Sequence, residues 1–549
     1  MKKQILQQVG VIGMLILCTN SLKAQDILWE KSYGGKHADY LFDVVPTPDY
    51  GFLLAGSSLS KKTGNKTEDN RGDLDYWVWK MDEKGDLDWQ RSFGGKGQDV
   101  LRSVLLTNDG GFLLAGSSQS SEGLDKKGKA NGGNDFWIIK LNAAGVEEWQ
   151  RTIGGSGQDE LSTALKTLDG GFILAGSSSS GLSGDKKAKN FGGLDYWVVK
   201  IDGKGTIVWQ NTFGGIYNDE LRSVALTEDG GYILGGSSNS PESGNKTERG
   251  LGQGDYWIVK LDDKGKLEWQ KGIGGTSDDQ LSVVCQTSEG NYILGGSSSS
   301  ESSESKSKGN ESGIDFWVVS IDKKLEILWQ ETYNISKVDV LTSLVENDDM
   351  TILLGGYGQG EPFKKKELRG KRQEDVGVVK KGTGDYVAIK ISEKGEELWR
   401  KEVGSDGQDV LVKVIEVRDG GYLMAGTSKT IQTVDGRVKA TGNKSSGKGS
   451  NDFWVVKLKD KQKIKPPAKP VEAIPNPAMD YTNIIVGYEY TKGTATLVDI
   501  SGHVLQQFKI TDRTIPIDLT GLPEGIYIVN ISTDIQNSGV KVIKQRTRN

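Results

Sequence analysis

The sequence predicts an all-β protein: a seven-bladed β-propeller closed by its N- and C-terminal strands, followed by a small immunoglobulin-like β-sandwich. Three observations carry this. Trp29, Trp89, Trp149, Trp209, Trp269, Trp329 and Trp399 mark one point in seven copies of a unit, spaced by 60 residues (89 − 29, and so on to 329 − 269) and finally by 70 (399 − 329). An Asp-aromatic-Trp triplet runs in parallel through Trp77, Trp137, Trp197, Trp257, Trp317 and Trp454, with Val387 standing in once. The stretches around both landmarks have strand periodicity and no helical period, the pattern of a blade array.

An address precedes the repeats. Lys2 and Lys3 lead into the apolar run Val11-Ile12-Gly13-Met14-Leu15-Ile16-Leu17, and Leu22-Lys23-Ala24 stands before Gln25. This is the pattern of a secretory signal peptide, residues 1–24, cut after Ala24. Its apolar run is shorter than the roughly 20 residues a membrane helix needs, and nothing later reaches that length. Leu17 is too bulky for good lipoprotein cleavage at Cys18. Without the signal, Cys285 is the one cysteine left, which excludes an intramolecular disulfide and reads as a core strand residue.

One unit, taken from Asp99, contains four strand candidates. Val100 to Thr107 ends in the turn Asp109-Gly110-Gly111; Phe112-Leu113-Leu114-Ala115-Gly116 is continuously apolar, as a strand covered on both faces should be. Asp135 to Leu141 passes through the hairpin signal Asn142-Ala143-Ala144-Gly145 into Val146 to Ile153. In the first copy of that fourth strand, Leu87, Trp89, Arg91 and Phe93 alternate with Asp88, Gln90 and Ser92, the period of a half-exposed outer strand. Ile27 to Tyr33 is an outer strand without a blade before it, and the last repeat stops after three strands at Asn451 to Lys457. Pairing the two completes the seventh blade and closes residues 26–460 into a ring. The tryptophans are then packing between blades.

The loop entering each inner strand reads Gly-Gly-x-x-x-Asp in most units, giving Asp39, Asp99, Asp159, Asp219, Asp279, Asp339 and Asp409. At one mouth of the central channel these carboxylates would either bind a cation or polar ligand, or accept backbone N–H bonds within their own turns; recurrence favours the second. The triplet aspartates, Asp75 through Asp452, are read the same way. Long loops rich in Ser, Gly, Asn and Lys, such as 117–134, fall on the same face, and short turns on the other. The long-loop face is the expected binding surface, with solvated padding as the alternative. Unit six departs most: Asn334-Ile335-Ser336 replaces the Gly-Gly turn, and the loop 358–384 carries Lys364, Lys365, Lys366, Arg369, Lys371, Arg372, Lys380 and Lys381. That basic loop is a candidate contact for an anionic glycan or phosphate, or a tolerant surface loop that has drifted.

Catalytic signatures are absent. His37 and His503 are the two histidines, so His-built metal sites and Ser-His-Asp hydrolysis lack parts. No catalytic residue, metal ligand or cofactor is assigned. The 75 glycines, 14 tryptophans and net charge of −5 describe a large soluble β protein and disfavour nucleic acid as a partner. A monomer without a membrane span is expected. The blade pattern, a hydrophobic strand, Lys-Leu-Asn-x-x-Gly and then Glu-Trp-Gln, is similar to quinoprotein-like propeller repeats; the resemblance implies architecture alone, because no ring-binding or metal residue of those enzymes maps onto this chain.

Residues 461–472, with Lys463-Ile464-Lys465-Pro466-Pro467-Ala468-Lys469-Pro470, read as a stiff linker. The module 473–549 lacks the tryptophan repeat and carries Pro475-Asn476-Pro477, the strand Ala495 to Ile500 with the turn Ser501-Gly502, Leu522-Pro523-Glu524-Gly525-Ile526-Tyr527, and Val540 to Lys544. This module closely resembles the type IX secretion system C-terminal sorting domain (type A) of Bacteroidetes, apart from a short basic tail, Arg546 to Asn549. The resemblance implies the type IX machinery as a partner and a secreted or outer-membrane surface location after signal cleavage. The leading functional expectation is a β-propeller binding or adhesion protein for an extracellular glycan, peptide or protein. A hydrolase or lyase using carboxylates on the long-loop face, and a structural envelope or matrix component, are the alternatives.

Overall fold

The computed structural model describes residues 25–303, 305–310, 313–360, 384–429, 442–460, 470–474, 476–478, 481–488 and 490–545. Residues 1–24, expected to be a signal peptide, residues 461–469 of the expected linker, and the basic loop residues 361–383 lie outside them. Residues 26–459 form seven four-stranded antiparallel sheets. The first is built from Asp39–Pro46, Phe52–Ser58, Asp75–Met81 and Leu87–Phe93. The next five repeat that order, opening on Asp99–Leu106, Asp159–Lys166, Asp219–Leu226, Asp279–Gln286 and Val338–Glu346. The seventh contains Asp409–Glu416, Tyr422–Lys429 and Asn451–Lys459, and its fourth strand is the N-terminal Asp26–Tyr33. Tyr33 is paired with Phe453 and Ser32 with Trp454. The architecture is β-propeller-like.

Burial follows from strand position. In the first five sheets the second and third strands, such as Phe112–Ser118 and Asp135–Leu141, are buried at every residue because sheets cover both of their faces. Each hydrophobic cluster lies between neighbouring sheets: Leu53, Tyr76 and Val78 of the first pack on Leu101, Val104 and Trp137 of the second. The first and seventh sheets share a cluster too, in which Leu41, Phe52 and Trp77 meet Leu423, Phe453 and Val455.

The two tryptophan series divide the packing. Trp77, Trp137, Trp197, Trp257, Trp317 and Trp454 are fully buried. Each is tilted against an aromatic ring of the neighbouring sheet, as in Tyr76–Trp137, Phe136–Trp197 and Tyr386–Trp454, at 4.8 Å between centroids. The outer series is half-buried apart from Trp399. Trp89 lies over Gly145 of the next sheet, whose left-handed φ of 75° and lack of a side chain leave room for the indole. Both series pack between sheets, but the triplet series, rather than the outer one, is the fully buried seam.

The alternation expected of the outer strand is corrected. Gln90 and Ser92 are buried, because the long loop of the same sheet folds down over them. Gln90 Oε1 accepts from Trp77 Nε1 at 3.1 Å, and its Nε2 donates to Asn65 O of that loop at 2.9 Å. A polar residue recurring at a fixed place here marks a hydrogen-bonded interior.

In every inner strand one extra residue interrupts the register: Phe42, Arg102, Ser162, Arg222, Ser282, Thr342 and Val412. Such a bulge bends the strand and re-aims the side chain.

The C-terminal region pairs a three-stranded sheet (Val471–Ile474, Tyr481–Val486, Thr514–Asp518) with a four-stranded one (Val504–Ile510, Gly493–Asp499, Gly525–Thr533, Asn537–Lys544). Ile484, Ile517, Leu497 and Val529 fill the space between them. This unit sits on the short-turn face of the repeat body: Arg513 pairs with Glu83 at 2.9 Å, Arg418 with Glu472 at 2.8 Å, and Tyr481 covers Gly110.

Candidate functional site

The seven inner-strand aspartates are fully buried, and each accepts hydrogen bonds from its own turn through at least one carboxylate oxygen. Asp99 Oδ2 accepts from Gly95 N at 2.7 Å and Ser120 Oγ at 2.9 Å. Asp39, Asp159, Asp219 and Asp279 repeat this with Gly35 and Ser60, Gly155 and Ser180, Gly215 and Ser240, and Gly275 and Ser300. Asp339 accepts from Ile335 N at 2.7 Å and Ser336 Oγ at 2.6 Å, and Asp409 from Ser405 N at 2.6 Å. Burial pushes Asp39 and Asp409 up to about 6, with hydrogen bonds from the neighbouring Ser hydroxyls and turn N–H groups opposing it.

The hydroxyl reaches the aspartate by two routes. In five sheets it comes from the long loop, and a Cβ on Gly95 would stand 2.4 Å from Ser120 Cβ, so glycine is required there. In the sixth and seventh sheets the turn itself supplies it, through Ser336 and Ser405, and Ile335 and Ser405 occupy the glycine position. Asn334, in place of the other glycine, donates to Asp315 Oδ1 at 2.8 Å. This part of the unit-six departure is thus a compensated exchange of packing.

The long loops hold a feature that sequence composition hid. Lys66, Lys126, Lys186, Lys246, Lys306 and Lys444, one in each of six long loops, are buried. Lys126 Nζ donates to Ser118 Oγ at 2.9 Å and Ser120 O at 2.8 Å, and Lys186, Lys246 and Lys306 stand over the rings of Trp197, Trp257 and Trp317 at 5.5–5.8 Å. Burial draws Lys186 down to about 8 against the opposing charges of Asp159 and Asp195, while burial raises Asp195 to about 7. The loops are pinned from inside, and solvated padding is not what the described parts resemble. The signal was present: five of these lysines and five serines, Ser60 through Ser300, recur at the repeat spacing.

On the short-turn face a second lysine series ties strands to turns, with Lys140 Nζ 2.8 Å from both Asp109 and Glu148 and Lys260 2.8 Å from both Asp229 and Glu268. At the centre of the body, a cavity of ≈ 610 Å³ is lined by inner-strand residues of six sheets, among them Arg102, Glu160, Arg222, Ser282, Thr342 and Val412. Gln98, Ser117 and Asn134 place it toward the long-loop face. Arg102 stacks on Phe42 at 4.5 Å, and Arg222 pairs with Glu220 at 2.6 Å. Neither arginine was singled out in the sequence, because the bulge that turns them inward has no composition of its own. The basic residues Lys364, Lys365, Lys366, Arg369, Lys371 and Arg372 lie outside the described residues. Cys285 is partly buried against the core between the fifth and sixth sheets, which with Glu346 pushes its thiol up to about 12.

The molecule is thus an all-β, propeller-like repeat body with a separate C-terminal β module. Residues 472–545 match the family described as Secretion system C-terminal sorting domain. That tail marks a secreted or cell-surface protein. The regulatory protein FlaEY of Caulobacter vibrioides is 24% identical over 203 residues, 35% of this chain and 21% of the relative, so this chain spans about a fifth of that protein's length. Among solved structures, the chain is similar to PorZ, a surface component of the type IX secretion system of Porphyromonas gingivalis (TM-score 0.24, 9% identity, 95% of this chain and 86% of that one). It is also similar to the Pan2 WD40 domain of Neurospora crassa (TM-score 0.33, 11% identity, 66% and 90%) and to YCF48 bound to D1 peptide (TM-score 0.36, 8% identity, 81% and 100%). Among the described residues, no helix is long and apolar enough to cross a membrane.

Proposed function

We propose that this is a binding protein exported through a type IX secretion system, with its long-loop face presented to an extracellular glycan, peptide or protein. The reading includes closure of the seven sheets into a seven-bladed ring. Pairing of Asp26–Tyr33 with Asn451–Lys459, and the cluster shared by the first and seventh sheets, support closure. The observation that carries the binding reading is the division between faces: the sorting module occupies the short-turn side through Arg513–Glu83 and Arg418–Glu472, leaving a side whose loops are anchored by buried lysines. The inner-strand carboxylates are engaged in their own turns, which weighs against carboxylate catalysis there. The basic side chains Lys364 to Arg372 are proposed contacts for an acidic partner.

Binding of the mature chain to glycan and matrix-protein arrays tests the face; saturable binding weakened by replacing the loop 358–384 is expected, and no binding to any surface overturns it. Removing residues 471–549 should leave a folded body in the periplasm, with protease protection in intact cells as the readout. Surface exposure of the truncated chain would sink the export assignment.

A further inference from the structure

The bulge positions form one set around the axis, and five of the seven carry Phe, Ser, Thr or Val. The remaining two are Arg102 and Arg222, in the second and fourth sheets, and both line the axial cavity. Nothing in the packing asks for a guanidinium at either place, since serine and valine serve the same position in other sheets.

Arg102 makes no hydrogen bond or ion pair with the described residues; its guanidinium rests on the Phe42 ring at 4.5 Å, and the residue lines the cavity. Arg222 is held through one Nη by Glu220 at 2.6 Å. Burial and then the Arg222 charge push Arg102 below its ordinary value, with the Glu160 carboxylate of the third sheet opposing them, so the two cations feel one another across a space that also holds one carboxylate. An anion placed there relieves that repulsion and meets a planar fork suited to a carboxylate. The lining contributed by the sixth and seventh sheets differs in kind: Val340, Tyr357, Val410 and Val412. In a ring of seven those sheets stand opposite the third, which lies between the two arginines. A space of ≈ 610 Å³ with valines on one side and polar or charged side chains around most of the rest has the dimensions of a small-molecule site.

We infer that the axial cavity binds a small organic carboxylate, with its headgroup between Arg102 and Arg222 and its apolar body against Val340, Val410 and Val412. The inference rests on the ring closure and binding face proposed above, and adds to them a ligand class and a place.

Isothermal titration of the intact mature chain with hexanoate, acetate and hexanol tests it, since these separate headgroup from body. Hexanoate binds saturably at one site, with acetate and hexanol at least ten-fold weaker. Arg102→Gln and Arg222→Gln each weaken hexanoate about ten-fold or more without lowering the unfolding midpoint, whereas Arg151→Gln, on an outer strand, leaves it unchanged. Absence of saturable hexanoate binding, or binding untouched by both cavity variants, overturns the inference. Hexanoate binding alongside blank glycan and protein arrays would remove the macromolecular reading and keep the cavity; the reverse result removes the cavity alone.

Discussion

Phe453→Ala tests closure with an internal control. Phe453 in the seventh sheet is tilted over Trp77 of the first, at 4.6 Å and 35°, and Phe136 in the second sheet meets Trp197 of the third at 4.8 Å and 34°. Both phenyl rings are fully buried. Truncating a core Phe to Ala costs about 3–5 kcal/mol, and a good aromatic pair accounts for roughly 0.5–1.5 kcal/mol beyond burial. If the seventh sheet packs on the first as the second packs on the third, Phe453→Ala and Phe136→Ala cost the same within about 1 kcal/mol. If the array were open at that seam, Phe453 would stand at a solvated edge, where substitutions stay within about 0.5 kcal/mol. All 14 tryptophans lie between Trp29 and Trp454, so their fluorescence during guanidinium unfolding reports on the repeat body and not on the sorting module. A Phe453→Ala loss below about 1 kcal/mol beside a Phe136→Ala loss of about 3–5 kcal/mol refutes closure.

Lys126→Ala removes the cation beneath one long loop and leaves Asp99 and Asp135 without it, so stability falls by about 3–5 kcal/mol and proteolysis appears within residues 119–134; an uncut loop would contradict the anchoring. Gly95→Ser alone collides with Ser120 and costs about 1–3 kcal/mol, whereas adding Ser120→Gly removes the clash and lets the turn supply the hydroxyl, as Ser405 does in the seventh sheet, recovering most of the loss in a thermal melt. Stability should peak under mildly acidic conditions. Burial raises Asp75 and Asp195 to about 7 and Asp39 and Asp409 to about 6, so the folded state binds more protons than the unfolded one from about pH 4 to 7, and stability rises as pH falls through that window. Asp229, where burial is outweighed by Lys260, and Asp349, where it is outweighed by Thr351 and Lys390, lie at about 2, and their contribution is lost below about pH 4. A melting temperature that climbs steadily from pH 5 to 8 would contradict this assignment.

The strands were the most legible part of the sequence. Asp135–Leu141 was expected at the bounds it has, and the N-terminal strand was placed beside Trp454 where it pairs, because apolar runs and a missing fourth strand are direct consequences of burial and hydrogen-bond satisfaction. The loops were the least legible. Their composition is that of solvated chain, and composition averages over position, so it cannot distinguish an exposed lysine from Lys186 at 0% exposure. Position could: a Lys, a Ser and a Gln returning at the repeat spacing describe an interior network such as Lys126–Ser118 and Gln150–Trp137. The arginines of the axis were illegible for another reason, since the bulge that points them inward is a property of two paired strands.

Departures from a repeat separate into two kinds once the contacts are known. At Asn334, Ile335 and Ser336 several residues changed together, and each change answers another: the asparagine amide meets Asp315, and the serine hydroxyl replaces the one the loop supplies elsewhere. Correlated exchange of this sort preserves the same buried hydrogen bonds and leaves the turn doing what its six counterparts do. Arg222 is answered by Glu220, whereas Arg102 changed without an answering contact among the described residues. Arg102 replaces no lost contact, brings a charge to a bulge position that five other sheets fill with Ser, Thr, Val or Phe, and meets repulsion from Arg222 that Glu160 of the same lining partly offsets. A guanidinium without a hydrogen bond or ion pair to the described residues, at a place other sheets fill with serine or valine, points to a role outside the fold. The axis therefore has a stronger physical claim to function than the turn of unit six, although the turn is the more visible break in the sequence.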